Sequence, residues 1–336
     1  MTKLINTEPN ITVLMSCFNA TKWLNEAVNS VINQTYKDFE FIIVDDGSTD
    51  DTLKLIKDLS AIDSRIVVIA KHNTGLADSL NIGIQQARGQ WVARLDADDL
   101  CEPTRLEKQI AYAHQHSDLV FIGSGLVKIN ANGHLLRSYR YPTYHASLLD
   151  NLRNLQRFPP HSSAFYRTQV VRAIGGYRVR IRRAEDWDLW LRLSEIGNFA
   201  CMPEPLVRIR QHDEQISHED FGKRQIVDAV SAVTSYFIRQ YGVADPVAGN
   251  EAEFQAFRTW IEQRLKEEKF FELRQFRAQL RACFYKQSNP INGESTIRKG
   301  LLNPFLLWRL CQEQLFGSAL PRQFAQEWIG QSCVAL

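Results

Sequence analysis

Three carboxylates fall within four residues, Asp96, Asp98 and Asp99, in the run W-V-A-R-L-D-A-D-D-L-C from Trp91 to Cys101. Charges that close repel one another unless water or a cation screens them. Asp96 and Asp98 are two apart, so an extended backbone points both the same way. At a strand end they could share one hard divalent cation, which takes oxygen ligands and often completes its shell with substrate phosphates. An acidic surface turn has the same short pattern, and an isolated D-x-D does not separate the two.

The elements that would carry these groups can be read in order. Ile11–Met15 is a short β-rich apolar run that stops at Ser16-Cys17-Phe18-Asn19. Trp23, Leu24, Ala27, Val28, Val31 and Ile32 then recur at helical spacing, with Thr21 placed to cap the helix. Phe39–Val44 is a second strand ending in Asp45-Asp46-Gly47-Ser48-Thr49-Asp50. A helix with Leu53, Ile56 and Leu59 on one face follows. Arg65–Ala70 is a third strand, Asn73-Thr74-Gly75 a turn, Leu76–Arg88 a third helix closed by Gly89, and Trp91–Leu95 a fourth strand. Strands that are nearly all apolar and alternate with helices indicate an α/β fold, with a mostly parallel sheet covered on both faces.

Ligands of such sheets bind outside the carboxyl ends of the strands. Three of those ends are polar here: Ser16 to Asn19, Asp45-Asp46, and Asp96 to Asp99. Neither G-x-G-x-x-G nor a Walker loop follows the first strand, so dinucleotide-dependent dehydrogenases and P-loop kinases lose support. A nucleotide held by carboxylates and a metal ion remains.

The bulk composition sets wider bounds. The 336 residues allow two domains, or one large domain with an appendage. Hydrophobic residues at 44% and charged residues at 23% are ordinary for a soluble globular chain. A net charge of +2 gives no reason to expect nucleic acid as a partner. The six cysteines are far apart and form no C-x-x-C, which argues against a zinc site or a disulfide scaffold and fits a reducing compartment. No signal-peptide core and no run of membrane-spanning length is present. The expectation is a cytoplasmic protein, with peripheral attachment to the inner face of the cell membrane left open.

Four segments, I-T-V-L-M-S-C-F-N from Ile11, F-I-I-V-D-D-G-S-T-D from Phe41, N-T-G-L-A-D-S-L-N-I-G-I from Asn73 and R-L-D-A-D-D from Arg94, resemble the family-2 glycosyltransferases of the GT-A fold, of the kind used in bacterial surface polysaccharide synthesis. The resemblance rests on four motifs in the right order and spacing, and covers roughly the first two-thirds of the chain. Pro159–Arg167 and Ile174-Gly175-Gly176-Tyr177 fit the acceptor side. The run R-A-E-D-W-D-L-W from Arg183 places Glu185 and Asp186 at a helix N-terminus, where the dipole favours carboxylates. A plain capping carboxylate would read the same way.

The resemblance implies an inverting transfer from a nucleotide-sugar donor, with uracil the expected base, to a glycan or lipid-linked acceptor. Asp186, beside Glu185, would be the general base. Asp98, with Asp96 and His212, would hold Mg²⁺ or Mn²⁺ against the diphosphate. In the family the later carboxylate of this motif usually contacts the metal and the earlier one the ribose or sugar, so in D-A-D-D Asp98 and Asp99 compete. Asp45 would accept from the base, and Ser16, Phe18, Asn19, Asp46, Asn73 and Asp96 would line the donor site. Arg94 or Arg88 would meet diphosphate charge, or make a plain salt bridge. The family's common proline and tyrosine are replaced by Cys17 and Phe18, so stacking survives and a phenolic hydrogen bond does not. His212, in L-V-R-I-R-Q-H, is equally an exposed loop histidine.

Residues 1–220 are thus expected to form the transferase domain and 221–336 an α-helical region. In that region Phe254, Phe257, Ile261 and Leu265 make one stripe, and Leu273, Phe276, Leu280 and Phe284 another, within a helical pattern from Glu251 to Lys286. Such stripes usually pack on the rest of the chain or on a second subunit of a homo-oligomer. Phe305, Leu306, Leu307 and Trp308 with Arg298, Lys299 and Arg309 would suit an interfacial membrane contact instead. Two other classes stay open: a sugar-nucleotidyltransferase, and an idle scaffold that keeps the fold for nucleotide binding.

Overall fold

The computed structural model describes residues 9–212, 223–268 and 319–334. The chain divides into two compact units, Met1–Glu219 and Asp220–Leu336.

In the first unit β1 (Ile11–Cys17) and β2 (Phe39–Asp46) are buried along their whole length. This is why both read as continuous apolar runs and not as alternating ones. They pair in parallel with each other, β2 with β3 (Ile66–Lys71), and β1 with β4 (Trp91–Arg94). Three helices supply the crossovers: α1 (Thr21–Ile32), α2 (Thr52–Ile62) and α3 (Leu76–Gln86). Ile11, Val13 and Met15 share a core with Leu24, Ala27, Val28 and Val31 of α1 and Ile56 and Leu59 of α2. Leu14 points to the other face, where it meets Gly83 of α3 so closely that a side chain at Gly83 would collide with it.

Past β4 the sheet stops being purely parallel. The remaining elements are β5 (Leu100–Cys101), α4 (Arg105–Gln115), β6 (Leu119–Asn130), β7 (Leu135–Tyr139), α5 (His145–Arg153), a 3-10 turn at His161–Ser163, β8 (Phe165–Arg167), α6 (Thr168–Ala173), α7 (Glu185–Leu193) and β9 (Asn198–Gln211). The strand order is β3-β2-β1-β4-β8-β6-β9-β5, with β7 added to β6. β8 runs antiparallel to both β4 and β6, while β6 and β9 are parallel. The mostly parallel sheet expected from the sequence therefore describes the first half, and the second half is mixed. Trp91 stacks on Phe165 across the β4–β8 junction at 4.9 Å between ring centroids.

Two local expectations change. Thr21 does not cap α1: Ala20 holds that position, and the Thr21 hydroxyl donates to Asp50 at 3.1 Å. The third helix ends at Gln86, because Arg88 turns back to the Glu40 carboxylate at 2.7 Å.

The second unit contains α8 (Lys223–Gln240), α9 (Glu251–Glu267) and α10 (Ala319–Val334). Asn250 and Glu253 form a reciprocal capping box at the start of α9. The expected stripe Phe254, Phe257, Ile261 and Leu265 is buried, and Phe257 and Trp260 meet Trp328 of α10 edge-on. The second stripe from Leu273 and the segment Phe305–Trp308 lie outside the described residues. No helix among the described residues is long and apolar enough to cross a membrane.

Candidate active site

The carboxyl ends of β1, β2 and β4 lie side by side, because these strands are parallel neighbours. Gly47 sharpens the exit from β2. Its φ is +75°, and a Cβ there would sit 2.6 Å from the Asn73 backbone nitrogen, so only glycine lets the two loops touch. Asn19, itself left-handed at φ +49°, ties β1 to β2: its amide donates to Ser48 Oγ at 3.0 Å, and its Oδ1 accepts from Thr49 N at 2.9 Å. Phe18 is 49% exposed beside this tie.

The two aspartates at the end of β2 have different work. Asp46 is buried and fully engaged: it takes the backbone N–H groups of Thr74 and Gly75, both at 2.9 Å, and pairs with Lys71. Burial alone would raise its pKa, but Lys71 and the two amides hold it below the ordinary value. Asp46 therefore shapes the loop after β3 through these partners. Asp45 is equally buried. Its Oδ2 accepts from Ser48 N at 3.3 Å, while its Oδ1 has no partner. A buried acceptor left open is costly, and such groups usually meet a ligand or water.

The acidic cluster sits where β4 runs out. Asp96, Asp98 and Asp99 can each bring an oxygen within 4.8 Å of the others'. Ser162, from the 3-10 turn, organises them. Its Oγ donates and accepts at 2.8 Å from Asp96 Oδ2, 2.5 Å from Asp99 Oδ2 and 3.1 Å from Asp96 N. Asp99 is buried, and its Oδ1 accepts the Arg210 amide of β9 at 2.9 Å. Both oxygens of Asp99 are thus used inside the protein. Asp98 faces outward, and its Oδ2 lies 2.9 Å from His212 Nε2.

Arg94 is fully buried behind the cluster, pairs with Asp96, and reaches Ser162 at 3.2 Å. It supports Asp96 from within. Arg88 lies at the opposite end of the strands with Glu40, far from these carboxyl ends. Burial would raise Asp96, but Arg94 keeps it low. Burial and the neighbouring aspartate charges push Asp98 up and Asp99 well up. An excess of negative charge there favours a cation.

His212 is not a loose loop histidine. Its ring packs on Trp23 at 4.1 Å, its side chain is nearly buried, and its Nδ1 has no partner. Trp23 Nε1 and Arg210 Nη1 both donate to the Ala131 carbonyl in the β6–β7 turn, at 3.3 and 2.9 Å. Arg210 also pairs with Glu26 of α1.

Glu185 and Asp186 open α7 as expected. Asp186 is partly exposed, and its Oδ1 accepts from Trp187 N at 2.7 Å. Glu185 is buried, and burial with the Asp186 charge raises its pKa to about 8. Burial raises Asp186 too, with the Asp96 charge adding to it and Arg94 opposing. The same buried arginine thus bears on both carboxylate groups. His161 Nε2 meets the Tyr177 hydroxyl at 2.7 Å beside this pair, and burial with Arg94 holds its pKa well down. Ser162, Arg210, Trp23 and His161 were not singled out from sequence. Ser162 and His161 lie in the P-P-H-S-S-A run, but nothing local marks a serine as the hub of distant carboxylates.

Ser16 is buried at the β1 end, and Asn73 is exposed in the loop held by Asp46. Together with Asp45, Phe18 and Asn19 they border the same edge of the sheet as the acidic cluster.

Comparison with known proteins agrees with this geometry. Residues 12–175 match the model of "Glycosyl transferase family 2". The O-antigen biosynthesis glycosyltransferase WbnJ of Escherichia coli is 30% identical over 208 residues, covering 61% of this chain and 80% of WbnJ. Residues 1–349 of TarS from S. aureus, solved with UDP-GlcNAc, superpose with a TM-score of 0.58 at 18% identity over 76% of this chain and 72% of that one. Against the longer TarS chain, this protein spans 40% of its length. The mannosyltransferase PcManGT of Pyrobaculum calidifontis, solved with GDP-Man and Mn²⁺, has a TM-score of 0.51 at 15% identity over 95% of this chain and 88% of that one. The structural likeness shows the GT-A fold, and the family model together with WbnJ, 30% identical and covered to 80% by this chain, shows that the chain belongs to glycosyl transferase family 2.

Proposed function

We propose that the protein transfers a sugar from a UDP-sugar to a hydroxyl of a growing surface polysaccharide or its lipid-linked precursor, with inversion and with help from a divalent cation. The observation that carries this reading is the Asp98–His212 contact at the edge of the Asp96–Asp98–Asp99 cluster. The donor set is hard oxygen plus one imidazole. The 2.9 Å between Nε2 and Oδ2 is also close to the roughly 3 Å between adjacent ligands in an octahedral shell of about 2.1 Å radius. Asp98 and His212, with Asp96 beside them, suit Mg²⁺ or Mn²⁺. Asp98 is preferred over Asp99 for that role, because both Asp99 oxygens already accept hydrogen bonds inside the protein. Support for a cation comes from PcManGT, solved with Mn²⁺. When bound, the ion neutralises charge on the departing diphosphate.

The protein's own groups supply the rest. Asp45 Oδ1 offers the open acceptor that a uracil N3–H would fill, and Phe18 is exposed beside it for stacking. TarS, solved with UDP-GlcNAc, supports the choice of UDP. Asp186 is the accessible member of the E-D pair and takes the proton from the acceptor hydroxyl. Glu185, held protonated near neutral pH by burial and the Asp186 charge, leaves that role to Asp186. WbnJ, an O-antigen biosynthesis enzyme, supports a polysaccharide acceptor.

Calorimetric titration of UDP, GDP and CDP with and without Mn²⁺ tests the reading. Metal-dependent UDP binding that disappears in Asp98→Ala is expected. Preference for another nucleotide would move the donor class, and no nucleotide binding at all would overturn the proposal.

A further inference from the structure

We propose that the β6–β7 hairpin and the segments flanking it form a docking surface for an anionic lipid bilayer, placed at the rim of the active site. Four observations carry it. Leu135 and Leu136, at the start of β7, are 70% and 53% exposed. The sequence has no acidic residue between Asp118 and Asp150, while Lys128, Arg137 and Arg140 fall inside that stretch and Arg157 just after it. Lys128, Arg137 and Arg157 all lie over the Tyr139 ring, at 5.5, 5.3 and 5.2 Å. None of these four cations forms an ion pair with a carboxylate among the described residues.

Three cations gathered on one ring repel one another, and a single aromatic face offsets only part of that repulsion. The arrangement is therefore poised for an external anion. Charge and exposed leucines together select the occupant. A bilayer with anionic headgroups meets the arginines at its surface and takes the leucines into its acyl boundary. A nucleic acid would use the charges and leave the leucines in water. A second copy, adding β7 to β7 along this open edge, would bring like charges together.

Location gives the surface its purpose. The hairpin turn is anchored by Trp23 and Arg210 through the Ala131 carbonyl, and Trp23 carries the ring of His212. Leu135 begins β7 just after that turn. A membrane at the hairpin would lie next to the acidic cluster, where a lipid-linked acceptor would have to arrive. The surface itself does not depend on the donor assignment.

The test is cosedimentation of the whole chain with phosphatidylcholine vesicles, with and without phosphatidylglycerol. Partition is expected only with phosphatidylglycerol, falling as salt screens the headgroups. Each of Arg137→Gln, Arg140→Gln and Arg157→Gln should lower it about fivefold. The double variant Leu135→Ser, Leu136→Ser should also lower it while melting temperature and UDP titration stay unchanged. Absence of partition, or equal partition by the arginine and leucine variants, would overturn the proposal. So would concentration-dependent dimerisation that the same variants abolish without any vesicle binding. Failure of UDP to bind while vesicles still do would count against the donor reading alone.

Discussion

The Asp98 carboxylate meets the His212 imidazole at 2.9 Å across 114 residues of chain, joining the exit of β4 to the exit of β9. Trp23 fixes the plane of the imidazole, and Ser162 fixes the aspartates behind it. His212→Ala should therefore weaken Mn²⁺-dependent UDP binding by roughly ten- to a hundredfold, the range for losing a metal ligand's support. Titration at fixed Mn²⁺ reads this directly. Unchanged affinity would remove His212 from the site.

Asp45 offers one buried carboxylate oxygen with no partner. A hydrogen bond from a base to such a group is worth about 1.5–3 kcal/mol. Asp45→Ala should lower UDP affinity by about ten- to a hundredfold and leave the affinity for inorganic diphosphate with Mn²⁺ unaltered. Equal losses for both ligands would place Asp45 outside the base pocket.

The Ser162 hydroxyl lies within hydrogen-bond reach of both Asp96 and Asp99 and can give its one proton to either. Ser162→Ala leaves a buried carboxyl group short of a hydrogen-bond partner, a loss of about 1–3 kcal/mol in unfolding free energy. Urea denaturation measures it. Ser162→Thr, which keeps the hydroxyl, should recover part of the loss.

Asp186 is the accessible carboxylate at the start of α7. Asp186→Asn should reduce turnover about 10²- to 10⁴-fold, the usual share of a general base, with donor affinity intact. Burial raises the Asp186 pKa, so the acid limb of the wild-type pH–rate profile should lie above the ordinary aspartate range and vanish in the variant. Single-turnover assays across pH would show a persisting limb if another group is the base.

Glu185 gives a stability signature of opposite sense to a salt-bridged carboxylate. Its folded pKa of about 8 stands above the ordinary 4.5, so between those values the folded state binds more protons than the unfolded one. Its contribution is present below pH 4.5 and is lost as pH rises toward 8. Glu185→Gln should thus gain on the wild type across that window, by several °C in melting temperature at pH 8. Parallel melting curves at all pH values would show that Glu185 ionises normally.

Much of this could be read from the sequence. Continuous apolar runs ending in Asp45, Asp96 and Asn19 gave the strands and the edge at which a ligand belongs, because both properties are local. The E-D pair at a helix start was local too. What stayed hidden depends on distant partners. Asp46 and Asp45 look alike in sequence, and only the fold shows that Thr74 and Gly75 consume one of them. Asp98 and Asp99 also look alike in sequence, and only the fold shows Ser162 and the Arg210 amide against Asp99. The antiparallel insertion of β8 is three residues long, too short for any periodicity to announce.

That insertion also sets a timetable. Ribosomes release the chain from the N-terminus, and β3-β2-β1-β4 can pair as soon as Arg94 has emerged. The aspartates follow at once, yet Ser162 arrives more than sixty residues later and the Arg210 amide later still. Until then Asp98 and Asp99 stand at an unfinished border without His212, Ser162 and the Arg210 amide, while Asp96 has Arg94 but not Ser162. A nascent chain would therefore possess its scaffold long before it could grip a nucleotide, and capture of the donor would begin only once β9 is in place.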